Sequence, residues 1–182
     1  MGEEQKIKTI TQYAMEYGTY MGLFFIVKFF IMTYALRYSS ANMLSTVMII
    51  GIPVLAFYMI KWFRDKSGNV TFARIWLFGI YMFFFASLLS GVMEYVYYRY
   101  MNPDYIQMQQ QAIADMLGQL SQQNNVPMFA TIQKALSKSE IPAPIDMVFQ
   151  GIWGTVFLGS MFSLLLAIFM RRKHKIDNVQ NQ

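Results

Sequence analysis

The chain has no cysteine, a single histidine and few charged residues, and each shortage excludes a class of function. Without cysteine there is no disulfide and no thiol chemistry. The one histidine, His174, lies in a basic tail, so zinc hydrolases and other histidine-dependent enzymes are poor fits. The sequence also has no glycine-rich phosphate loop, nucleophile elbow or paired-carboxylate motif. It therefore favours a protein without catalytic residues, cofactor or metal site over an enzyme.

Apolar residues take the place of the missing charge. Of the 182 residues, 55% are hydrophobic and only 14% are charged, and the mean hydropathy is +0.32. The apolar residues form four runs, at about residues 17–36, 43–60, 75–96 and 145–170. Each run has roughly the length that a helix needs to cross a bilayer. We predict an all-α integral membrane protein with four transmembrane helices, folded as a single domain over residues 1–182.

The net charge is +5, but the position of the charges argues against nucleic acid as a partner. They flank the apolar runs, which is typical of topology signals and of contacts with lipid headgroups. One side of the predicted bundle carries ten basic residues: Lys6, Lys8, Lys61, Arg64, Lys66, Arg74, Arg171, Arg172, Lys173 and Lys175. The other side carries four: Arg37, Arg99, Lys134 and Lys138. This imbalance predicts that both termini are cytoplasmic.

The third run has the most clearly marked ends, and the rest of the chain is organised around it. It follows Thr71 and leaves through an aromatic and basic collar, Tyr95–Tyr100, before Asn102-Pro103-Asp104-Tyr105. Tyrosines in this position are typical of an aromatic belt at the membrane surface, and a ligand cage is a weaker alternative. We interpret Asp104 as the N-cap of a following helix.

A hydrophilic segment at about residues 104–140 separates the third run from the fourth. Its apolar residues recur at helical spacing, first Ile106, Ile113, Leu117 and Leu120, then Phe129, Ile132 and Leu136. This pattern predicts two short amphipathic helices, broken at Asn124-Asn125-Val126-Pro127. Under the predicted topology the segment faces the outside of the membrane.

The fourth run carries a stripe of small residues spaced four apart. Its members are Gly151, Thr155, Gly159, Ser163 and Ala167. Small residues at this spacing let two membrane helices approach closely. We interpret the stripe either as packing within the chain or as the face of a dimer or partner, and the first interpretation is slightly favoured. Gly18 and Gly22 of the first run are a candidate mate for it.

Lys28 is the one charge well inside a predicted span. An unpaired lysine at the bilayer centre costs about 2.5–3.5 kcal/mol on insertion scales, so it marks either a functional site or a structural arrangement. Glu94 is the obvious intramembrane acid, but counting residues from the predicted span ends puts the two at depths about 12 Å apart. Sequence reasoning therefore favours Lys28 extending along its aromatic neighbours to the nearer membrane surface.

The order of these features resembles the bacterial membrane proteins of domain-of-unknown-function family 4199. The resemblance rests on Thr71-Phe72 opening the third span, Gly79 one turn in, and the Asn102-Pro103-Asp104-Tyr105 exit. The amphipathic segment and the glycine-rich last span with its basic tail complete it. The resemblance implies a four-span inner-membrane protein of a Gram-negative bacterium, in a gene neighbourhood that often includes a glycosyltransferase acting at the membrane. The family has no established catalytic residues to carry over.

Two classes of function fit these observations best. The first is a non-catalytic partner or scaffold for an envelope enzyme such as a glycosyltransferase, with the stripe and the amphipathic segment as interaction surfaces. The second is a small oligomeric transporter or channel with Lys28 and Glu94 in its pathway. An enzyme that modifies lipids with Asp104 and Asp146, the acids that flank the outer segment, is the least favoured. Besides the lipid bilayer, the expected partners are a membrane protein or further copies of the chain.

Overall fold

The computed structural model describes residues 9–37, 42–68, 70–124 and 127–170. Six α-helices follow in order: α1 Ile10–Arg37, α2 Asn42–Ser67, α3 Phe72–Val96, α4 Tyr105–Asn124, α5 Pro127–Lys138 and α6 Pro144–Met170. A π-helical turn, Tyr97–Met101, extends α3. Lys6, Lys8 and the basic tail from Arg171, which contribute to the predicted topology, lie outside the described residues.

Four of these helices are long and apolar enough to cross a membrane. They are α1, α2, α3 with its π-helical turn, and α6. This confirms the predicted all-helical fold with four such helices. The segment between α3 and α6 forms α4 and α5, with the break in the predicted place. Its position outside the membrane stays a prediction.

Two helices extend well past the apolar runs that predicted them. The runs stop where polar residues begin, but the helices continue through those residues. The α1 helix begins at Ile10, and Thr9 and Gln12 form a reciprocal cap before it. The backbone N–H of Thr9 donates to Gln12 Oε1 (2.9 Å), and the N–H of Gln12 donates to Thr9 Oγ1 (3.3 Å). The α2 helix runs to Ser67 and ends at Gly68, whose φ of 71° suits a glycine after a helix.

The α3 helix lies at the centre, with α1 and α6 packed along it. Contacts near the helix starts (Tyr17 with Phe78) and near the helix ends (Phe29 with Tyr98) show that α1 and α3 run parallel. The α6 helix runs antiparallel to them, since its last residues, Ala167 and Met170, join the core cluster at the start of α3. The buried residues that α2 contributes to the same cluster all lie in its second half: Ala56, Met59, Ile60 and Phe63.

Glycines bring α1 into close contact with α3. A Cβ on Gly18 would lie 2.8 Å from Cβ of Phe85, and one on Gly22 would lie 2.9 Å from Cδ2 of Leu89. Real Cβ atoms do not come this close to other atoms, so a larger residue at either position forces the helices apart. The expectation that Gly18 and Gly22 mate with the α6 stripe is therefore wrong, because α3 covers them.

The contact between α3 and α6 is equally close and uses small residues from both helices. A Cβ on Gly79 would overlap the Ser163 side chain, and a Cβ on Gly159 would overlap the Phe83 ring. The indole Nε1–H of Trp76 donates to the backbone oxygen of Ser160 at 3.3 Å. The packing within the chain thus uses the half of the stripe near the end of α6.

Replacing Gly159 with leucine should destabilise the isolated protein. The new side chain has to displace Phe83, and overpacking of this kind typically costs about 1–3 kcal/mol. A thermal melt in detergent measures the loss. Gly154→Leu is the matched control, because a Cβ at Gly154 on the same helix meets nothing within 4 Å. Equal melting temperatures for the two variants would contradict the α3–α6 packing.

Candidate functional site

The candidate site is a half-buried charge pair, Lys28 and Glu94, next to a group of aromatic rings. The glycine contacts between α1 and α3 set its geometry. Gly22 lies against Leu89, and Lys28 is six residues further along α1 while Glu94 is five further along α3. Because both helices rise about 1.5 Å per residue in the same direction, the two charges reach the same level. At this level the ammonium and the carboxylate are close enough to attract each other.

The depth difference expected between Lys28 and Glu94 is therefore wrong. It was counted from the ends of the apolar runs, whereas the glycine contacts decide which residues of α1 and α3 face each other. Within the described residues the two charges attract each other without forming an ion pair inside 4 Å. Their attraction offsets part of the cost of placing each charge inside the membrane.

The ammonium of Lys28 turns back toward the middle of its span. Its Nζ lies 5.4 Å from the centre of the Phe25 ring, within the range of a cation–π interaction. Phe25 is one turn nearer the N-terminus of α1 and is one of the aromatic neighbours along which the Lys28 side chain is expected to extend, and its extension to a membrane surface stays a prediction. The ring of Phe25 in turn lies against that of Phe83, at 6.5 Å between centres.

Glu94 lies close to residues of two neighbouring helices. Lys28 of α1 is within range of electrostatic attraction, and Tyr98 of the π-helical turn and Tyr105 of α4 are near the carboxylate. Its Oε2 lies 3.8 Å from the position that a Cβ of Gly151 on α6 would occupy. The carboxylate therefore lies close to α6 at the beginning of the small-residue stripe.

The aromatic group consists of Phe29, Phe30, Tyr97, Tyr98 and Tyr105, and we refer to it as the tyrosine cluster. Phe29 is its centre, with ring centres of Tyr97 at 5.3 Å, Tyr98 at 5.7 Å and Tyr105 at 6.1 Å. The rings of Tyr98 and Tyr105 are stacked, 5.5 Å apart and inclined by 14°. Tyr98 and Tyr105 are buried and Tyr97 is half-buried, so Tyr98 packs inside the protein, whereas the sequence predicts a surface belt there.

The residues of the collar Tyr95–Tyr100 differ in exposure because they point in different directions around the π-helical turn. In this turn the N–H of Asn102 donates to the carbonyl of Tyr97 at 2.9 Å, five residues back. Tyr98 is 6% exposed and Tyr100 is 73% exposed. Tyr100 therefore keeps the exposed position expected of a belt residue, whereas Tyr98 fills the tyrosine cluster.

Tyr105, in the first turn of α4, completes the tyrosine cluster. Its side chain is hydrogen-bonded to that of Thr33 on α1, and it follows directly on Asp104, whose carbonyl accepts the first hydrogen bond of α4 from Met108 (3.0 Å). Burial raises the pKa of the Tyr105 hydroxyl above its ordinary value. A tyrosine hydroxyl is protonated at physiological pH even without this rise, so that of Tyr105 can donate a hydrogen bond inside the cluster.

The five stripe residues have different surroundings. Gly159, Ser163 and Ala167 are buried, and Gly159 and Ser163 lie directly against α3. Thr155 is half-buried and Gly151 is exposed. Gly154, which is outside the stripe pattern, is exposed beside them with open space around it. The stripe therefore has a covered half toward the end of α6 and an open half toward its start, next to Glu94.

The helices and the internal charge pair define a multi-pass helical membrane protein. The family described as "Protein of unknown function (DUF4199)" matches the chain over residues 16–172, and the chain belongs to this family. The resemblance inferred from the Thr71-Phe72 opening and the Asn102–Tyr105 exit is thereby confirmed. No curated protein and no solved structure matches the chain.

Removing both charges together should do less harm than the single substitutions imply. Lys28→Met removes the ammonium that attracts the Glu94 carboxylate. Glu94→Gln removes the carboxylate that attracts the Lys28 ammonium. We expect each single variant to melt at a lower temperature, and the double variant to show a coupling of about 0.5–3 kcal/mol.

A distant pair provides the reference for this double-mutant cycle. Asp115 lies exposed on α4, so Lys28→Met combined with Asp115→Asn should give additive changes in stability. If Lys28→Met and Glu94→Gln are also additive, the two charges do not interact.

Proposed function

We propose that this protein is a non-catalytic subunit or scaffold for a membrane-associated envelope enzyme, such as a glycosyltransferase, in the bacterial inner membrane. The observation that carries the proposal is the open half of α6, formed by Gly151, Gly154 and Thr155 beside the carboxylate of Glu94. We refer to these four residues as the open face.

The open face has the two properties that a partner helix needs in a membrane. Its small residues allow another backbone to come close, which is how membrane helices gain packing energy in the absence of a hydrophobic drive. Glu94 supplies a hydrogen-bond acceptor at its edge for a polar group on the arriving helix. A partner helix carrying a serine, threonine or asparagine at this level would satisfy both.

The covered half of the stripe supports the same conclusion by contrast. Gly159 and Ser163 already receive α3, so they are not free to bind another helix. A Cβ on Gly154 meets nothing within 4 Å and one on Gly151 meets only Oε2 of Glu94. Since equally small residues remain uncovered on the same helix, the open face is the part of the stripe left for an intermolecular contact.

We propose the orientation that follows from the basic residues, with both termini in the cytoplasm and the α4–α5 hairpin outside. The excess of lysine and arginine in the short segments between and after the spans supports this orientation. Arg64 and Lys66 lie in the last turn of α2, on the side that this orientation assigns to the cytoplasm.

Single cysteines can test this orientation directly, because the natural chain has none. In intact spheroplasts, a cysteine at Ser67 should be protected from a membrane-impermeant thiol reagent, and one at Gln123 should react. After lysis both should react, which serves as the control for exposure. Labelling at Ser67 but not at Gln123 in intact cells would reverse the proposed orientation.

The partner itself is tested by purification from native membranes followed by mass spectrometry. We expect an envelope enzyme in stoichiometric amount with the wild type, and its loss with Gly154→Leu, which blocks the open face without crowding α3. Leu165→Phe enlarges an exposed residue elsewhere on α6 and should retain the enzyme. Retention of the enzyme by Gly154→Leu would contradict the open face as the contact.

A transporter is the second candidate, and the juxtaposition of Lys28 and Glu94 inside the bundle is the observation that favours it. Charged residues within spans commonly mark ion or proton pathways. The purification separates the two functions. A homo-oligomer without an enzyme, whose ion flux in liposomes is lost in Glu94→Gln, would favour the transporter and contradict the scaffold.

A further inference from the structure

The α4 helix begins just after the end of the third candidate span. The span runs to Met101, and α4 starts at Tyr105 after the turn at Asn102 and Pro103. The rings of Tyr98 and Tyr105 are stacked across this turn, and Ile106 is 3% exposed in the same cluster. The first turn of α4 is therefore fixed beside the end of the third candidate span, where it packs with residues of α1 and α6.

An apolar side continues along α4 from these two anchors. Helical periodicity places Met108, Ala112, Ile113, Met116 and Leu120 on the same side as Tyr105 and Ile106. The anchors are buried against the bundle, but further along this side Met108 is 46% exposed and Met116 is 53% exposed. Among the described residues, the two apolar core clusters include no residue of α4 beyond Ile106 and none of α5.

The α5 helix does not cover this apolar side, because its recorded contacts run along the glutamine side of α4. The side-chain Nε2 of Gln110 donates to the carbonyl of Leu136 at 2.8 Å and to Ser139 Oγ at 2.9 Å. One helical repeat on, a Cβ at Gly118 would lie 2.7 Å from Nε2 of Gln133. By helical periodicity Gly118 lies opposite the centre of the apolar side, and Gln110 lies at its margin. These contacts therefore leave Met108, Ala112 and Met116 exposed, whereas a hairpin folded in water would place its apolar side between its two helices.

We propose that α4 lies in the interfacial layer of the bilayer, with the side carrying Ala112 and Met116 embedded among lipid chains. Lipid is the occupant that the structure favours, because α4 starts four residues after the third candidate span ends and this side carries exposed apolar residues that join neither described core cluster. The helix has a single charged residue, Asp115, so the contact rests on apolar burial rather than on attraction to anionic headgroups. This binding does not require a partner at the open face.

Spin labels on single cysteines test the proposal in the full-length protein. Each variant is placed as one copy in a nanodisc of neutral phosphatidylcholine, and collisions of the label with oxygen and with a water-soluble nickel chelate are measured. The labels at Met116→Cys and Ala112→Cys should lie about 5–10 Å below the headgroup boundary, the depth typical of interfacial helices. The matched labels at Gln111→Cys and Gln122→Cys, on the other side of α4, should report water.

Each alternative gives a different result. If the labels at Met116 and Ala112 collide with the nickel chelate as freely as the one at Gln111, α4 lies in water and the proposal is overturned. If both reagents are excluded from Met116 and Ala112, protein rather than lipid covers this side, which also overturns it. Ala112→Cys is the smallest change and keeps the test valid if Met116→Cys disturbs folding, which a thermal melt of each variant shows.

Discussion

The close approach of α1 and α6 to α3 is the constraint on which the rest of this structure depends. In lipid, helices gain little from hydrophobicity by associating, so packing at short distance has to hold them together. Gly18 and Gly22 provide that distance on one side of α3, and the Gly79–Ser163 contact provides it on the other. A glycine contact works only where the glycine lies opposite its partner residue. The residues that hold the helices together therefore also fix how far each helix is shifted along its neighbour.

The charge pair is a consequence of this alignment. Lys28 alone would be costly inside the membrane, and Glu94 alone would be costly too. The glycine contacts bring them to one level, where each lowers the cost of the other, and Phe25 adds a ring face for the ammonium. The surroundings of Ser163 also depend on this close packing. Its buried Oγ has no hydrogen-bond partner within the described residues and lies against Gly79. The Cα–H of a glycine is a weak hydrogen-bond donor.

Sequence reasoning predicted the elements of the fold and missed how they face each other. Long apolar runs predict spanning helices because bilayer thickness sets their length, and the Pro103 exit predicted the end of the third span. The pairing of α1 with α3 was missed, because small residues on one helix do not show which neighbour they receive. The predicted depth of Lys28 is wrong for a related reason. The apolar run begins near residue 17, whereas the Thr9–Gln12 cap starts α1 at Ile10, so Lys28 lies further along its helix than the run indicates.

The tyrosine collar shows why local sequence could not define the site. Tyr98 and Tyr100 are two residues apart in the same aromatic segment, and the sequence offers the same interpretation for both. Their fates differ because Pro103 turns the chain and Tyr105 returns to stack on Tyr98, while Tyr100 has no such partner among the recorded ring contacts of the described residues. The contact that Tyr105 of α4 makes with Tyr98 thus buries a residue that the sequence alone assigns to the membrane surface. Since Glu94 lies beneath this contact and Gly151 beside it, the position of α4 and the surroundings of the charge pair follow from the same turn.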